Sequence, residues 1–236
     1  MLSLGFILLK LQEKSWKIHA MGKSLDLTTT ETFRQLQRLS KNSFITKDAD
    51  GGYNLTPFGK LVLFLSPSFG FIFRHKQYLL EHDIWHLPPE FIFRIGELSG
   101  GTLTAQFEAV KRVEEMLKAA EEHIWTLTSQ VFAVHGRAVD ERLREGVKFR
   151  SLHPKAMLQT ELDYDEFKDC VERKYLPQTS KILVITEKEA MVALPLISGN
   201  PDVAAFFGKD PSFKKWATDL YLHYWRQGKL LPKSAQ

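Results

Sequence analysis

The sequence predicts a mixed α+β/α/β chain in two parts: a small helical domain closed by a β-hairpin, then an α/β sandwich. Three observations carry this. Apolar residues recur at helical spacing through residues 4–41. An Asp/Gly-rich turn, Asp48-Ala49-Asp50-Gly51-Gly52, then separates two short apolar runs. Beyond Leu87-Pro88-Pro89, helical and strand-like patterns alternate. With 236 residues, 44% hydrophobic and 25% charged, the chain is long enough for two cores and too ordinary in composition to be disordered or fibrous.

The elements follow in order. A first helix from Leu4 to Glu13 offers Phe6, Leu8, Leu9 and Leu11 for packing. A second runs to Lys23 from Ser15, whose hydroxyl suits an N-cap. After the turn Ser24–Leu27, Thr28-Thr29-Thr30-Glu31 fits a capping box that starts a third helix. Phe33, Leu36 and Leu39 form its apolar stripe, and Thr30, Arg34, Gln37, Arg38 and Lys41 fall on the other side. Phe44–Lys47 and Tyr53–Thr56 are the hairpin strands. Thr56-Pro57 opens a long apolar helix, expected to break near Ser66-Pro67-Ser68. In the second part, helices are expected over Pro89–Leu98, Thr104–Glu122, Arg137–Glu145 and Pro211–Gln227, and strands over Ile124–Thr128, Val147–Leu152, Lys181–Thr186 and Ala190–Leu196. The expected domains are therefore residues 1–65, a connecting and dimerising helix at 66–88, and an α/β domain at 89–236.

Helix, helix, turn, helix, hairpin is the order of a winged helix-turn-helix, which points to double-stranded DNA as partner. Charge agrees. Residues 1–60 hold nine Lys and Arg against five Asp and Glu, whereas the rest of the chain is neutral. On the third helix, Arg34, Gln37 and Arg38 have the chemistry that reads base edges, while Thr28, Thr30 and Lys41 suit phosphates. Lys47 on the hairpin could reach a phosphate, but Asp48 and Asp50 beside it would repel one. A homodimer is expected, because two-fold symmetry matches palindromic operators, with the apolar region Leu61–Leu80 as interface.

The chain also resembles the archaeal winged-helix regulators of the methanogenesis-regulatory type. The residues that carry the resemblance are Leu36-Gln37-Arg38-Leu39 and Gly51-Gly52-Tyr53-Asn54-Leu55-Thr56-Pro57-Phe58-Gly59-Lys60, then Arg94-Ile95-Gly96-Glu97-Leu98, Ala119-Ala120-Glu121-Glu122-His123-Ile124-Trp125, Trp216-Ala217 and Tyr224-Trp225. Residues 155–180 match that pattern least. The resemblance implies transcription regulation and a C-terminal α/β sandwich sensor domain, similar to a phospholipase D half-domain without its chemistry, that binds a small-molecule effector.

Strand-end polar and aromatic residues are the ligand candidates: Trp125, Thr128, Ser129, Arg150 and His153, with Thr126, Ser151 and Thr186 nearby in the pattern. His153-Pro154-Lys155 has the His-x-Lys of a phosphodiesterase, but the Asp needed five residues after the Lys is Thr160, and no second copy exists. No phosphate-cradling loop is present, so no cofactor is expected. His82 and His86 have the i, i+4 spacing of a helical metal pair but no third ligand, so no metal is expected either. The single Cys170 and the shortness of the apolar run Leu61–Phe73 suggest a cytoplasmic chain with no membrane partner. Two rival readings stay open: a phosphodiesterase-like or transferase enzyme with an accessory winged helix, and a protein-docking scaffold.

Overall fold

The computed structural model describes residues 2–129, 133–159, 167 and 169–230. They form two compact units, Met1–Phe69 and Gly70–Gln236.

The first unit holds α1 (Leu2–Glu13), α2 (Ile18–Ser24), α3 (Thr29–Lys41), the hairpin β1 (Ile45–Lys47) and β2 (Tyr53–Leu55), and most of α4 (Pro57–Arg74). Ile7, Leu11, Met21, Leu36, Leu39, Ile45, Tyr53, Leu55 and Leu63 make its core. Three local expectations need correcting. Ser15 does not cap α2; Lys17 occupies that position, and the Ser15 hydroxyl donates to Asp48 Oδ2 at 3.0 Å. Trp16 is drawn into an antiparallel bridge with Tyr53 and donates its indole N–H to the Lys10 carbonyl at 2.9 Å, so residues 15–17 are extended. Packing of a large aromatic overrides the local capping signal here.

The buried side of α3 is Thr32, Leu36 and Leu39, not the stripe that begins at Phe33, which is 46% exposed. Thr32 hides its hydroxyl by donating to the Thr28 carbonyl at 2.9 Å. That lets α2 come close: a Cβ on Gly22 would lie 2.9 Å from Thr32 Oγ1. The expected break at Ser66-Pro67-Ser68 is also absent, and α4 runs through Pro67. Proline removes the N–H that would bond the Leu63 carbonyl. The Ser66 hydroxyl replaces it, donating to that carbonyl at 2.8 Å.

The second unit is a three-layer α/β/α sandwich around an eight-stranded mixed sheet. Its elements are α5 (Lys76–Glu81), α6 (Pro89–Phe93), a 3-10 helix at Ile95–Gly100, β3 (Thr102–Thr104), α7 (Gln106–Lys118), β4 (His123–Leu127), α8 (Ala133–Arg144), β5 (Lys148–Pro154), a 3-10 helix at Lys155–Gln159, β6 (Val171–Leu176), β7 (Ile182–Thr186), β8 (Ala190–Ala193), β9 (Ala205–Gly208), α9 (Pro211–Gln227) and β10 (Lys229–Leu230). The strand order is β10-β6-β5-β4-β7-β8-β9-β3, with β4, β5 and β6 parallel and the other pairings antiparallel.

Alternation sorts each strand between the two faces. Leu127, Leu152, Leu183 and Ile185 pack with Phe213, Trp216, Leu220 and Tyr221 of α9. Ile124, Phe149, Ile182 and Val184 pack with Val113 and Leu117 of α7 and Ala138 and Leu143 of α8. Phe71, Tyr78 and Leu87, from the segment expected to be a connector, are buried in the α9-side core. His82 pins that segment down. Its Nδ1 faces the Tyr78 carbonyl at 2.7 Å, its Nε2 lies 2.9 Å from Asp202 Oδ2, and its ring stacks on Tyr78 with centroids 3.6 Å apart. The Arg94-Ile95-Gly96-Glu97 segment has a similar fastening task. The Arg94 guanidinium bonds both Glu97 oxygens and reaches Asp219 of α9, all at 2.8 Å. No helix among the described residues is long and apolar enough to cross a membrane.

Candidate functional site

In the first unit, α3 begins with the Thr28 hydroxyl accepting the Glu31 N–H at 3.2 Å, which is the Thr28 half of the expected capping box. Thr28 is thus committed to the helix start. Thr30, Arg34, Gln37, Arg38 and Lys41 are all exposed, and Thr32, Leu36 and Leu39 anchor the opposite side. The helix therefore presents one cationic, hydrogen-bonding face, with Arg34 and Arg38 one turn apart.

On the hairpin, the Lys47 ammonium lies over the Tyr53 ring at 5.8 Å and remains exposed. Asp48 beside it is turned into the hairpin. Its carboxylate accepts from Gly52 N at 2.7 Å, Asn54 Nδ2 at 2.8 Å, Ser15 Oγ at 3.0 Å and Asp50 N at 3.1 Å. The Gly52 bond, with Ser15, Asn54 and Asp50 adding to it, holds this carboxyl below the usual aspartate range. Asp48 is the knot of the turn, so part of its negative charge is already matched by donors.

In the second unit, the structure separates the five ligand candidates. The β4–β5 register pairs Trp125 with Arg150, Thr126 with Ser151 and Leu127 with Leu152. Trp125 and Arg150 thus share the α9 face, while Thr126, Ser151 and His153 share the α7/α8 face. Five candidates that look like one strand-end pocket in sequence belong to two clusters on opposite sides of the sheet. Thr186 lies at the other strand ends. It closes the β7–β8 turn, its hydroxyl donating to the Glu189 carbonyl at 3.2 Å and accepting from Glu189 N at 3.1 Å.

At the carboxyl ends of β4 and β5, His153 Nδ1 faces the Thr128 carbonyl at 3.2 Å, which fixes the proton on Nδ1. Nε2 then accepts from the Ser151 hydroxyl. Both ring nitrogens are engaged. Burial, reinforced by the Arg173 charge and only partly offset by the Thr128 bond, pulls His153 below the ordinary histidine value. The Ser129 hydroxyl is buried there and has no hydrogen-bond partner among the described residues. Thr160, the position that decides the His-x-Lys motif, lies outside the described residues.

On the α9 face, Trp125, Tyr221 and Trp225 stack in a row, with centroids 5.3 and 5.7 Å apart. The Arg150 guanidinium lies 5.2 Å from the Trp125 ring and 5.6 Å from the Trp225 ring. Sequence reasoning missed Tyr221, Glu172 and Lys174 here. The i, i+4 spacing of Tyr221 and Trp225 was a usable signal, since it places both on one helix face. Charge-rich β6, Val-Glu-Arg-Lys-Tyr-Leu, hid its strand character, so Glu172 and Lys174 had no legible place. As for metals, His82 spends both nitrogens on Tyr78 and Asp202, whereas His86 pairs with Asp83 at 2.6 Å. No group of three or more metal-ligating side chains comes together among the described residues.

Solved structures give weak likenesses. TrmBL2, described as an archaeal chromatin protein with a novel mode of DNA binding, aligns over 98% of this chain and 94% of its own, at 13% identity and TM-score 0.48. NucT from Helicobacter pylori aligns over 56% of this chain and 98% of its own, at 12% identity and TM-score 0.46. A phospholipase D family member, Nuc from Salmonella typhimurium, covers the same shares at 10% identity and TM-score 0.41. No curated protein matches in sequence. A family match is found for α7 to α9. Residues 106–227, just over half of the chain, match the family described as methanogenesis regulatory protein FilR1, middle domain, and the chain belongs to that family.

Proposed function

We propose that the chain is a DNA-binding transcriptional regulator, in which the first unit is a winged helix that reads duplex DNA and the second unit senses an effector. The observation that carries this reading is α3, with Arg34, Gln37, Arg38 and Lys41 exposed and Leu36 and Leu39 buried behind them. A helix of this kind fits the major groove, where Arg pairs with guanine and Gln with adenine. Lys47 on β1 and the positive balance of residues 1–60 supply phosphate contacts. The Trp16–Tyr53 bridge adds a third extended segment to the hairpin, which suits a winged helix. Membership in a regulatory family points the same way.

The regulator acts as a homodimer through α4. Phe58, Leu61, Leu65 and Phe69 are 50%, 57%, 44% and 60% exposed, and their spacing puts them on one stripe of the helix. A second copy covers that stripe and sets the distance between two copies of α3. The enzymatic reading lacks the acid its motif needs, since Thr160, not Asp, stands five residues after Lys155. The test is binding to genomic fragments by gel shift. Specific complexes weakened by Arg34→Ala and Arg38→Ala support the reading, whereas equal binding by both variants at several salt concentrations removes it.

A further inference from the structure

The aromatic row on the α9 face has features that folding alone does not require. Trp125, Arg150 and Glu172 sit side by side on β4, β5 and β6, in register and on one face. The Arg150 Nε and Nη2 are each 2.8 Å from Glu172 Oε1. Glu172 is 58% exposed along its side chain and Arg150 32%, so a carboxylate already rests on the guanidinium at the surface. Behind them Tyr221 is 0% exposed, and its hydroxyl has no hydrogen-bond partner among the described residues. A buried hydroxyl without an acceptor is costly. Burial pushes this phenol above its ordinary value, and the charges of Arg150 and Glu172 reach it, so it lies close to the pair. Lys174 adds a second cation, its ammonium 4.7 Å from the Trp225 ring and 3.1 Å from the Trp225 carbonyl. Lys148, two residues before Arg150, is exposed on the same face. Arg150 and Lys174 thus stand with Glu172 around a stack of three aromatic rings.

We propose that this row is a ligand site for a planar aromatic carboxylate, with Glu172 holding the place of the ligand's carboxylate until it arrives. The proposal rests on reading the second unit as a sensor, and it names the effector class. The ligand's carboxylate displaces Glu172 and takes the bidentate fork of Arg150. The Tyr221 hydroxyl swings to donate to it and gains the acceptor it lacks. The ligand's ring lies against Trp125, the most accessible of the three rings. Glu172, on an exposed strand position, turns into solvent at little cost.

The test is calorimetric titration of the full chain with 2-naphthoate, in the absence of DNA. Cyclohexanecarboxylate (charge without an aromatic ring) and 2-naphthamide (ring without charge) are the comparators. Saturable binding of naphthoate is expected, with each comparator weaker by about tenfold or more. Arg150→Met and Tyr221→Phe should each weaken naphthoate by roughly 10-fold or more, the scale of a lost charge-assisted hydrogen bond. Glu172→Gln should tighten it by about threefold or more, because the internal competitor is gone; a merely structural Arg150–Glu172 pair would not do this. No saturable heat at millimolar naphthoate overturns the proposal. So does binding that is unchanged in Arg150→Met and Glu172→Gln. Equal affinity for cyclohexanecarboxylate overturns the aromatic part. Because DNA is absent, failure here leaves the DNA-binding reading standing, and loss of that reading leaves this result unaffected.

Discussion

Replacing Gly59 by alanine should loosen the first unit in a way that can be sized from its geometry. Gly59 is in the first turn of α4, and a Cβ there would lie 2.0 Å from the Phe44 carbonyl oxygen. That oxygen cannot easily retreat. It accepts from Thr56 N at 3.0 Å, and the Thr56 hydroxyl, which donates to the adjacent Ser43 carbonyl at 2.6 Å, accepts from Gly59 N at 2.9 Å. Relieving the contact requires a shift of about 1 Å between α4 and the start of β1, breaking part of this bond set. Overpacking costs about 1–3 kcal/mol and a lost hydrogen bond about 1 kcal/mol, against a gain in helix propensity of up to about 1 kcal/mol. The net is about 2 kcal/mol, or roughly a 30-fold loss of protection. Hydrogen exchange on the full chain reads it out: the slowest amides of residues 1–69 should lose protection and those of the second unit should not. Gly70→Ala is the control, since a Cβ there meets nothing within 4 Å. It should be neutral or stabilising by up to about 1 kcal/mol. Unchanged protection in Gly59→Ala would refute the argument that this close approach fixes α4 on the hairpin.

Other expectations follow from the same structure. Leu65→Glu with Phe69→Glu should convert the proposed dimer to monomer by light scattering without unfolding the chain, since both side chains are exposed; a dimer that persists places the interface elsewhere. The His153 ring should titrate below the ordinary 6.5 by NMR, because burial disfavours its charged form. Its contribution to stability is full above that value and declines as pH falls through the lowered one; titration at or above 6.5 contradicts the geometry. Burial pushes the Asp202 carboxyl up, but hydrogen bonds from His82, Ala204, Gln106 and Val203 outweigh it and leave it below the usual 3.8. The stability gap between the parent and Asp202→Asn in urea should therefore shrink as pH falls below about 3.8. A gap that widens in acid contradicts this.

Much of the first unit was legible because its signals are local. Thr28 caps α3 as its hydroxyl suggests, and the Asp/Gly turn yields β1 and β2. What failed was decided by contacts distant in sequence. Ser15 looks like a cap, but Trp16 is captured by Tyr53 and Ser15 by Asp48. Phe33 looks like core by spacing, yet α2 approaches α3 through Gly22, and Thr32 is the residue buried there. The helix expected to end at Glu145 is followed by Gly146 at positive φ, +86°. In the second unit, the long helices and the apolar strands were legible. Short β3, β9 and β10 and charged β6 were not, because their strand character comes from their neighbours in the sheet. The ligand candidates were found as residues but not as sites. Which face of a strand a residue takes depends on register, and one step moves it across the sheet.

The central claim is that α3 reads DNA, and fluorescence anisotropy with a labelled genomic fragment tests it most directly. The parent should bind specifically, with affinity falling as salt rises. Arg34→Ala and Arg38→Ala should each cost about 1–3 kcal/mol on the preferred fragment and less on random DNA. If both variants match the parent on both DNAs across the salt series, α3 is not the reading helix and the account is wrong.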